Sequence, residues 1–188
     1  MELGMSDALI ALHFQNDICH PEGRIPFSLK RRTDEAEVFL TNSRAALERA
    51  RGNDWTVIHV HITFAEDYSD LPRNCRLFRA VEELGAVRQG TWGAAALAGF
   101  EPKDGEPLLV HKCNSAFRQT GLEAQLTSRG IERVSVMGLA TQYSVEHTVR
   151  DAADIGYNVI VLSDCCASAD RAAHEASLST MRLLAEIV

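Results

Sequence analysis

Five short apolar runs, most of them followed by a stretch with helical spacing, set the first limit on what this chain can fold into. The runs are Ala8 to Leu12, Trp55 to Phe64, Pro107 to Lys112, residues 133–137, and Tyr157 to Leu162. Their length and β-branched content suit buried strands. Helical spacing follows in four places. One pattern opens at Thr33 or Asp34, as candidate caps, carries Ala36, Phe39, Leu40, Ala46, Leu47 and Ala50, and stops at Gly52. The second is Leu122 to Leu126, stopped by Gly130. The third carries Val145, Val149, Ala152 and Ala153, and the last runs from about Asp170 to Glu186. A parallel neighbour is reached only by a crossover that passes over one face of the sheet. The alternation therefore predicts an α/β fold, with a mostly parallel central sheet and helices on both faces. In such sheets the carboxyl ends of the strands gather the functional loops. His13, Lys112 and the turn over residues 138–144 all lie at such ends, so the pattern predicts that they meet in one pocket.

Glu66 to Gly105 is the least regular region. Leu71-Pro72 opens a possible short helix through Phe78 and Val81, and Gly90-Thr91-Trp92-Gly93 reads as a loop, as do Asn16-Asp17 and His20-Pro21-Glu22-Gly23. No composition break marks a second unit, so residues 1–188 are read as a single domain, and 46% hydrophobic residues suffice for a sizeable core.

A net charge of −7 argues against nucleic acid or an anionic membrane as the partner, since both would be repelled. Lys30-Arg31-Arg32 is too short to reverse that and reads as a solvated loop. No run approaches the length of a membrane span, and Met1 to Asp7 is polar without a signal-like apolar stretch. Five cysteines with no C-x-x-C pair read as reduced thiols of a cytoplasmic protein.

The segment from Gly138 to Thr148 carries the chemistry. It leaves a buried strand and enters a helix, so its first helical N–H groups lack intrahelical partners and the dipole makes the turn positive. Ser144 sits where the turn ends, so one piece of backbone supplies both a nucleophile and oxyanion donors.

At this point the sequence resembles the isochorismatase-like, or cysteine hydrolase, superfamily. The matching pieces are residues 8–17, Gly90 to Gly93, His111-Lys112 with Ser115 to Phe117, Thr120 with Leu122, Gly130-Ile131, and Gly138 to Asp164. The resemblance implies a Rossmann-like three-layer sandwich, often assembled as a homodimer or homotetramer, that cleaves small amides and ureas or, in a subset, a vinyl ether. It implies an Asp at the end of the first strand, a Lys at the end of the third, and a Cys opening the helix after Gly-x-Ala-Thr. It further implies a cis peptide near Leu139-Ala140 and an oxyanion hole of backbone N–H groups there and at the nucleophile. Carried over residue by residue, Lys112 keeps its type, His13 stands in place of the Asp, and Ser144 stands in place of the Cys.

The two exchanges are chemically linked. A thiol near ~8.5 is brought to thiolate by a carboxylate and a lysine, whereas a serine hydroxyl needs a histidine base. The expectation is a hydrolase acting on a small amide, ureido or related acyl compound. Ser144 attacks, His13 takes the proton, Lys112 holds the carbonyl or developing charge, and the Ala140 and Ser144 N–H groups form the oxyanion hole. A nearby Lys112 would lower the His13 pKa by repulsion and keep it a neutral base. Trp92, Phe117 and Tyr143 are candidate substrate-binding residues. No cofactor or metal enters this reading, because His59 and His61, on one strand face, are better read as structural. The rivals are a catalytically inactive small-molecule-binding homologue, and a lyase or isomerase that uses His13 and Lys112 without a nucleophile. His147 is read as a surface histidine rather than a second base, Cys165-Cys166 as packing after the fifth strand, and Asp17 as a loop organiser rather than a partner of His13.

Overall fold

A computed structural model describes residues 6–30 and 33–188. Residues 1–5 of the polar amino-terminal stretch, and Arg31 and Arg32 of the basic run, lie outside the described residues. In chain order the elements are β1 (Ser6–Leu12), α1 (Asn16–Cys19), α2 (Asp34–Gly52), β2 (Thr56–Ile62), α3 (Arg76–Glu83), β3 (Leu108–His111), α4 (Leu122–Thr127), β4 (Ile131–Leu139), α5 (Glu146–Ile155), β5 (Asn158–Ala167), α6 (Arg171–Met181) and β6 (Glu186–Ile187). A wide turn over residues 141–145 joins β4 to α5.

Six strands form one sheet in the order β3-β2-β1-β4-β5-β6, and every pairing is parallel. The central strands are buried on both sides, as their unbroken apolar runs require. Leu9, Ala11 and Met137 pack on one face with Phe39, Ala46, Leu47 and Ala50 of α2 and Phe78 and Val81 of α3. Ala8, Ile10, Leu12, Val134 and Val136 pack on the other with Leu122, Leu126, Val149, Ala152 and Met181, from α4, α5 and α6. The expected three layers are present. The start of α2 follows its cap signal: Thr33 accepts a hydrogen bond from Ala36 N at 3.2 Å, three acidic residues occupy the first turn, and Arg49 and Arg51 occupy the last.

The chain builds outward from β1 through β2 to β3, then returns to lay β4 on the other side of β1. Their carboxyl ends thus form the switch point at which an open α/β sheet leaves a crevice. Leu12 is paired with Gly138 there.

The structure corrects four local expectations. The last helix ends at Met181, and Glu186–Ile187 adds a sixth strand, with Val188 N bonded to Val161 O at 3.0 Å and Ser163 N to Val188 O at 2.7 Å. Met181, Leu184 and Ile187 satisfy a helical period, but the open edge of β5 offers Glu186 and Ile187 a backbone ladder instead. β5 itself continues to Ala167, so Cys165 and Cys166 lie inside it rather than after it. The helix foreseen from Leu71-Pro72 begins only at Arg76, and a single helical turn, α1, stands where Asn16-Asp17 reads as loop.

Gly138 is held at φ 129°, and a Cβ on it would lie 2.1 Å from Leu12 O. A side chain there is excluded both by the backbone conformation and by the neighbouring strand. Gly138→Ala is expected to lower unfolding free energy by about 3 kcal/mol in urea titrations; a loss below about 1 kcal/mol would contradict this close approach of β1 and β4.

Candidate active site

The site begins where β1 ends. His13 N still donates to Val60 O at 2.9 Å, but His13 itself is left-handed, φ 63°, which a non-glycine residue adopts only under constraint from its surroundings. The constraint is local. Gln15 N closes onto His13 O at 2.7 Å, and the buried Gln15 amide donates to Ile62 O (3.0 Å) and Ala94 O (2.9 Å) while accepting from Ile62 N (2.9 Å). Asp17 accepts from Arg24 N at 3.3 Å and Val87 N at 2.7 Å, and a Cβ on Gly93 would come within 1.9 Å of its Oδ2. These contacts are those of a loop organiser, the role read for it from sequence.

The His13 ring meets His111, the last residue of β3. The two Nε2 atoms are 2.5 Å apart and both rings are buried. Nδ1 of His111 lies 3.0 Å from Ser115 O. That carbonyl is pinned from behind, because Ser115 Oγ donates to Asp151 of α5 at 2.5 Å and Ala116 N donates to Thr148 Oγ1 at 3.0 Å. Burial, followed by the neighbouring rings of His111 and His61, pushes His13 well below the ordinary histidine pKa, while the Leu139 carbonyl acts in the opposite sense. Burial also lowers His111 to about 4; the Ser115 carbonyl opposes that and Lys112 adds to it. His61 falls to about 4 through burial and the rings of His59 and His111. The His13 pKa is lowered, the direction expected from sequence. The cause is different: burial and two imidazoles, not a lysine.

The other wall comes from the β4–α5 turn. The Leu139-Ala140 peptide is cis, as the resemblance implied. Ala140 O accepts from Tyr143 N at 3.0 Å and from Val145 N at 3.3 Å, which makes the turn wide at Ser144. Wide turns of this kind concentrate at functional sites. Ser144 is buried, and among the described residues its hydroxyl makes no hydrogen bond.

His13, Ala140, Tyr143 and Ser144 line one cavity of about 30 Å³, walled by Ile18, Ile25, Phe27, Ile62, Leu77, Phe78 and Val81, with Asn114 and Ser28 as further polar members. A larger hollow of about 440 Å³ opens between the start of α2, the end of β5 and the start of α6. It contains neither His13 nor Ser144.

Three sequence candidates stand elsewhere. Lys112 follows the third strand as expected, but its ammonium pairs with Asp70 Oδ2 at 2.8 Å, donates to Thr63 O and lies 5.7 Å from the Phe64 ring centre. It does not line the cavity, so the expectation that its side chain joins His13 and Ser144 there is corrected. Trp92 is half exposed, edge-on to His20, and contributes its carbonyl to Asn16. Phe117 stacks against Tyr157 on the far face of the sheet. Of the lesser candidates, His147 is exposed and bonded to Tyr143 O at 2.8 Å, and His59 is bonded to Glu106 at 2.8 Å. Although burial pushes the Glu106 carboxyl up, the Arg51 guanidinium, Lys103 N and His59 hold it at about 2, which makes this a structural charge cluster.

His111 is the residue that sequence reasoning passed over. Leu108, Leu109 and Val110 are all apolar, so the run carries no alternation to show which of His111 and Lys112 turns inward. The structure exposes Leu108 and Val110 and buries His111. With the topology in hand, His111 shares the parity of the inward Leu109.

A parallel α/β sheet with helices on both faces, and with His13 and Ser144 lining one cavity at its switch point, is a Rossmann-like three-layer domain. The chain belongs to the isochorismatase family: the family described as "Isochorismatase domain" matches residues 7–188. It is 33% identical to the ureidoacrylate amidohydrolase RutB of Agrobacterium fabrum, over 69% of this chain and 62% of that one. It is 28% identical to a protein of Arabidopsis thaliana described as a "probable inactive nicotinamidase", over 93% of this chain and 87% of that one. Among solved structures, an isochorismatase family protein from Desulfovibrio vulgaris superposes with a TM-score of 0.85 at 28% identity, covering 98% of this chain and 94% of that one.

Lowered histidine pKa values make a pH prediction. Between the unfolded value near ~6.5 and the folded values, the unfolded chain binds more protons, so stability is full above pH ~6.5 and declines as pH falls toward 4. Urea midpoints measured from pH 7.5 to 4.5 should fall continuously below 6.5. A flat profile over that window would mean that these three rings are not buried neutral.

Proposed function

We propose that this protein hydrolyses a small amide, ureido or related acyl compound through an acyl-enzyme on Ser144. The observation that carries the reading is that His13, Ser144 and the Ala140 backbone line one buried cavity at the switch point. Ser144 Oγ attacks the substrate carbonyl carbon and its proton passes to His13. The carbonyl oxygen becomes an oxyanion, which the N–H groups of Ala140 and Ser144 stabilise. Collapse of the tetrahedral adduct breaks the carbonyl–leaving-group bond, and His13 returns the proton to the departing nitrogen or oxygen. Water then attacks the ester with His13 again as base, releasing the acid and restoring Ser144. Lys112 is not used, since its ammonium is committed to Asp70 and Thr63. That pairing counts against a lyase or isomerase built on His13 and Lys112.

The relatives support the reaction class, through the name ureidoacrylate amidohydrolase, and the cavity supports a polarity. Mainly aliphatic and phenyl walls, with no Lys or Arg among the lining residues, suit an uncharged acyl group. A second reading is a small-molecule-binding protein without turnover. The exchange of both the family's Asp and Cys, and the inactive label of the Arabidopsis relative, favour it.

Incubation with p-nitrophenyl acetate followed by intact-protein mass spectrometry is expected to show one added acetyl group, mapped to Ser144 by peptide analysis. Ser144→Ala should abolish the adduct and reduce turnover at least about 100-fold. Acetylation that persists in Ser144→Ala, or stabilisation by the ester with no acylation at all, would sink the hydrolase reading and leave the binding one.

A further inference from the structure

We propose that His111 is a positioning residue that holds the His13 ring, with the proton placement of this histidine pair dictated by the Ser115 carbonyl, beside the Ser144 hydroxyl that lines the same cavity. This rests on the hydrolase reading above for its catalytic meaning, but the proton placement can be tested without it.

The argument is one of donors and acceptors. A backbone carbonyl only accepts, so the 3.0 Å contact between His111 Nδ1 and Ser115 O requires the proton of neutral His111 to sit on Nδ1. Nε2 of His111 is then bare. It faces Nε2 of His13 at 2.5 Å, and two bare nitrogens at that distance would set lone pair against lone pair. The contact therefore calls for the neutral His13 ring to carry its proton on Nε2 and donate it to His111. The Leu139 carbonyl, which also draws a proton toward the His13 ring, competes with this placement; the short contact with His111 favours Nε2–H, which leaves Nδ1 of His13 bare to receive the Ser144 proton. Without His111, nothing on the third strand would hold His13 in this tautomer.

The pair also sets what happens when His13 becomes charged. Its Nε2–H then donates as a cation to a neutral acceptor, a stronger bond than between neutral rings. The Leu139 carbonyl from β4 favours the charged ring, and the His61 ring from β2 and His111 from β3 oppose charge beside it. Lys112, adjacent to His111, disfavours protonation of His111 itself. His111 thus stays an acceptor while His13 cycles. An acidic partner would stabilise the imidazolium with a full negative charge; a neutral imidazole offers only a dipole, so His111 orients more than it stabilises.

Two measurements decide the point. In the wild-type protein at pH 7.5, long-range 1H–15N spectra of the histidine rings are expected to assign Nε2–H to His13 and Nδ1–H to His111. Nδ1–H on His13, or Nε2–H on His111, would overturn the proposal whether or not the protein turns over any ester. For catalysis, His111→Phe removes the acceptor, while His111→Asn keeps an oxygen able to receive the His13 proton. With p-nitrophenyl acetate, His111→Phe should lower kcat about 100-fold or more with KM within about threefold, and His111→Asn should recover at least about tenfold of that loss. Equal kcat in all three proteins, or equal losses in the two variants despite melting temperatures near wild type, would overturn it. A wild-type protein that never acylates defeats the hydrolase reading alone, and the ring spectra still decide the tautomers.

Discussion

The close approach of β1 and β4 is the constraint on which the site depends. Leu12 and Gly138 are paired where a side chain on residue 138 has no room. Everything reactive leaves from that contact. One residue beyond Leu12 the chain flips into the left-handed conformation that aims His13, and one residue beyond Leu139 it enters the turn that carries Ala140 and Ser144. Because both strands are central and buried on both faces, neither can slide without moving an entire hydrophobic layer. The spacing of the His13 and Ser144 segments is therefore set by the packing of the core rather than by the loops.

Burial does the electrostatic work as well. The family arrangement named from sequence is an acid, a lysine and a thiol, groups that hold one another charged. Here the three groups around the switch point are imidazoles and a hydroxyl, and the low dielectric keeps the rings neutral. A neutral imidazole beside an alcohol is a workable pair, whereas a carboxylate beside an alcohol is a weak one. The exchanges at residues 13 and 144 agree with each other chemically, and the inward turn of His111 extends that agreement to the third strand. Lys112, freed from the centre, closes the outer surface through Asp70 and Thr63.

Much of this was legible in the residues. Unbroken apolar runs at Ala8 to Leu12 and residues 133–137 announce strands buried on both sides, Thr33 announces the start of α2, and the turn at Gly138 announces a nucleophile position. Where the reading slipped, two physical signals competed. The helical period of the last helix runs on through Leu184 and Ile187, but the open ladder of β5 takes Glu186 and Ile187 as a short edge strand. Trp92 and Phe117 are large aromatics in motif-like settings, yet one rests against His20 near the surface and the other against Tyr157 behind the sheet.

By itself the sequence determined the parallel α/β class and the family, and it placed His13 and the Gly138 turn at strand ends, because strand period, helix caps and turn signals are local properties. Only the tertiary structure decided which of His111 and Lys112 points inward. Three apolar residues precede them, so no local pattern distinguishes the two. The choice is made by the pairing of β3 with β2, by the Ser115 carbonyl that receives one side of the His111 ring, and by His13 arriving from another strand to meet the other.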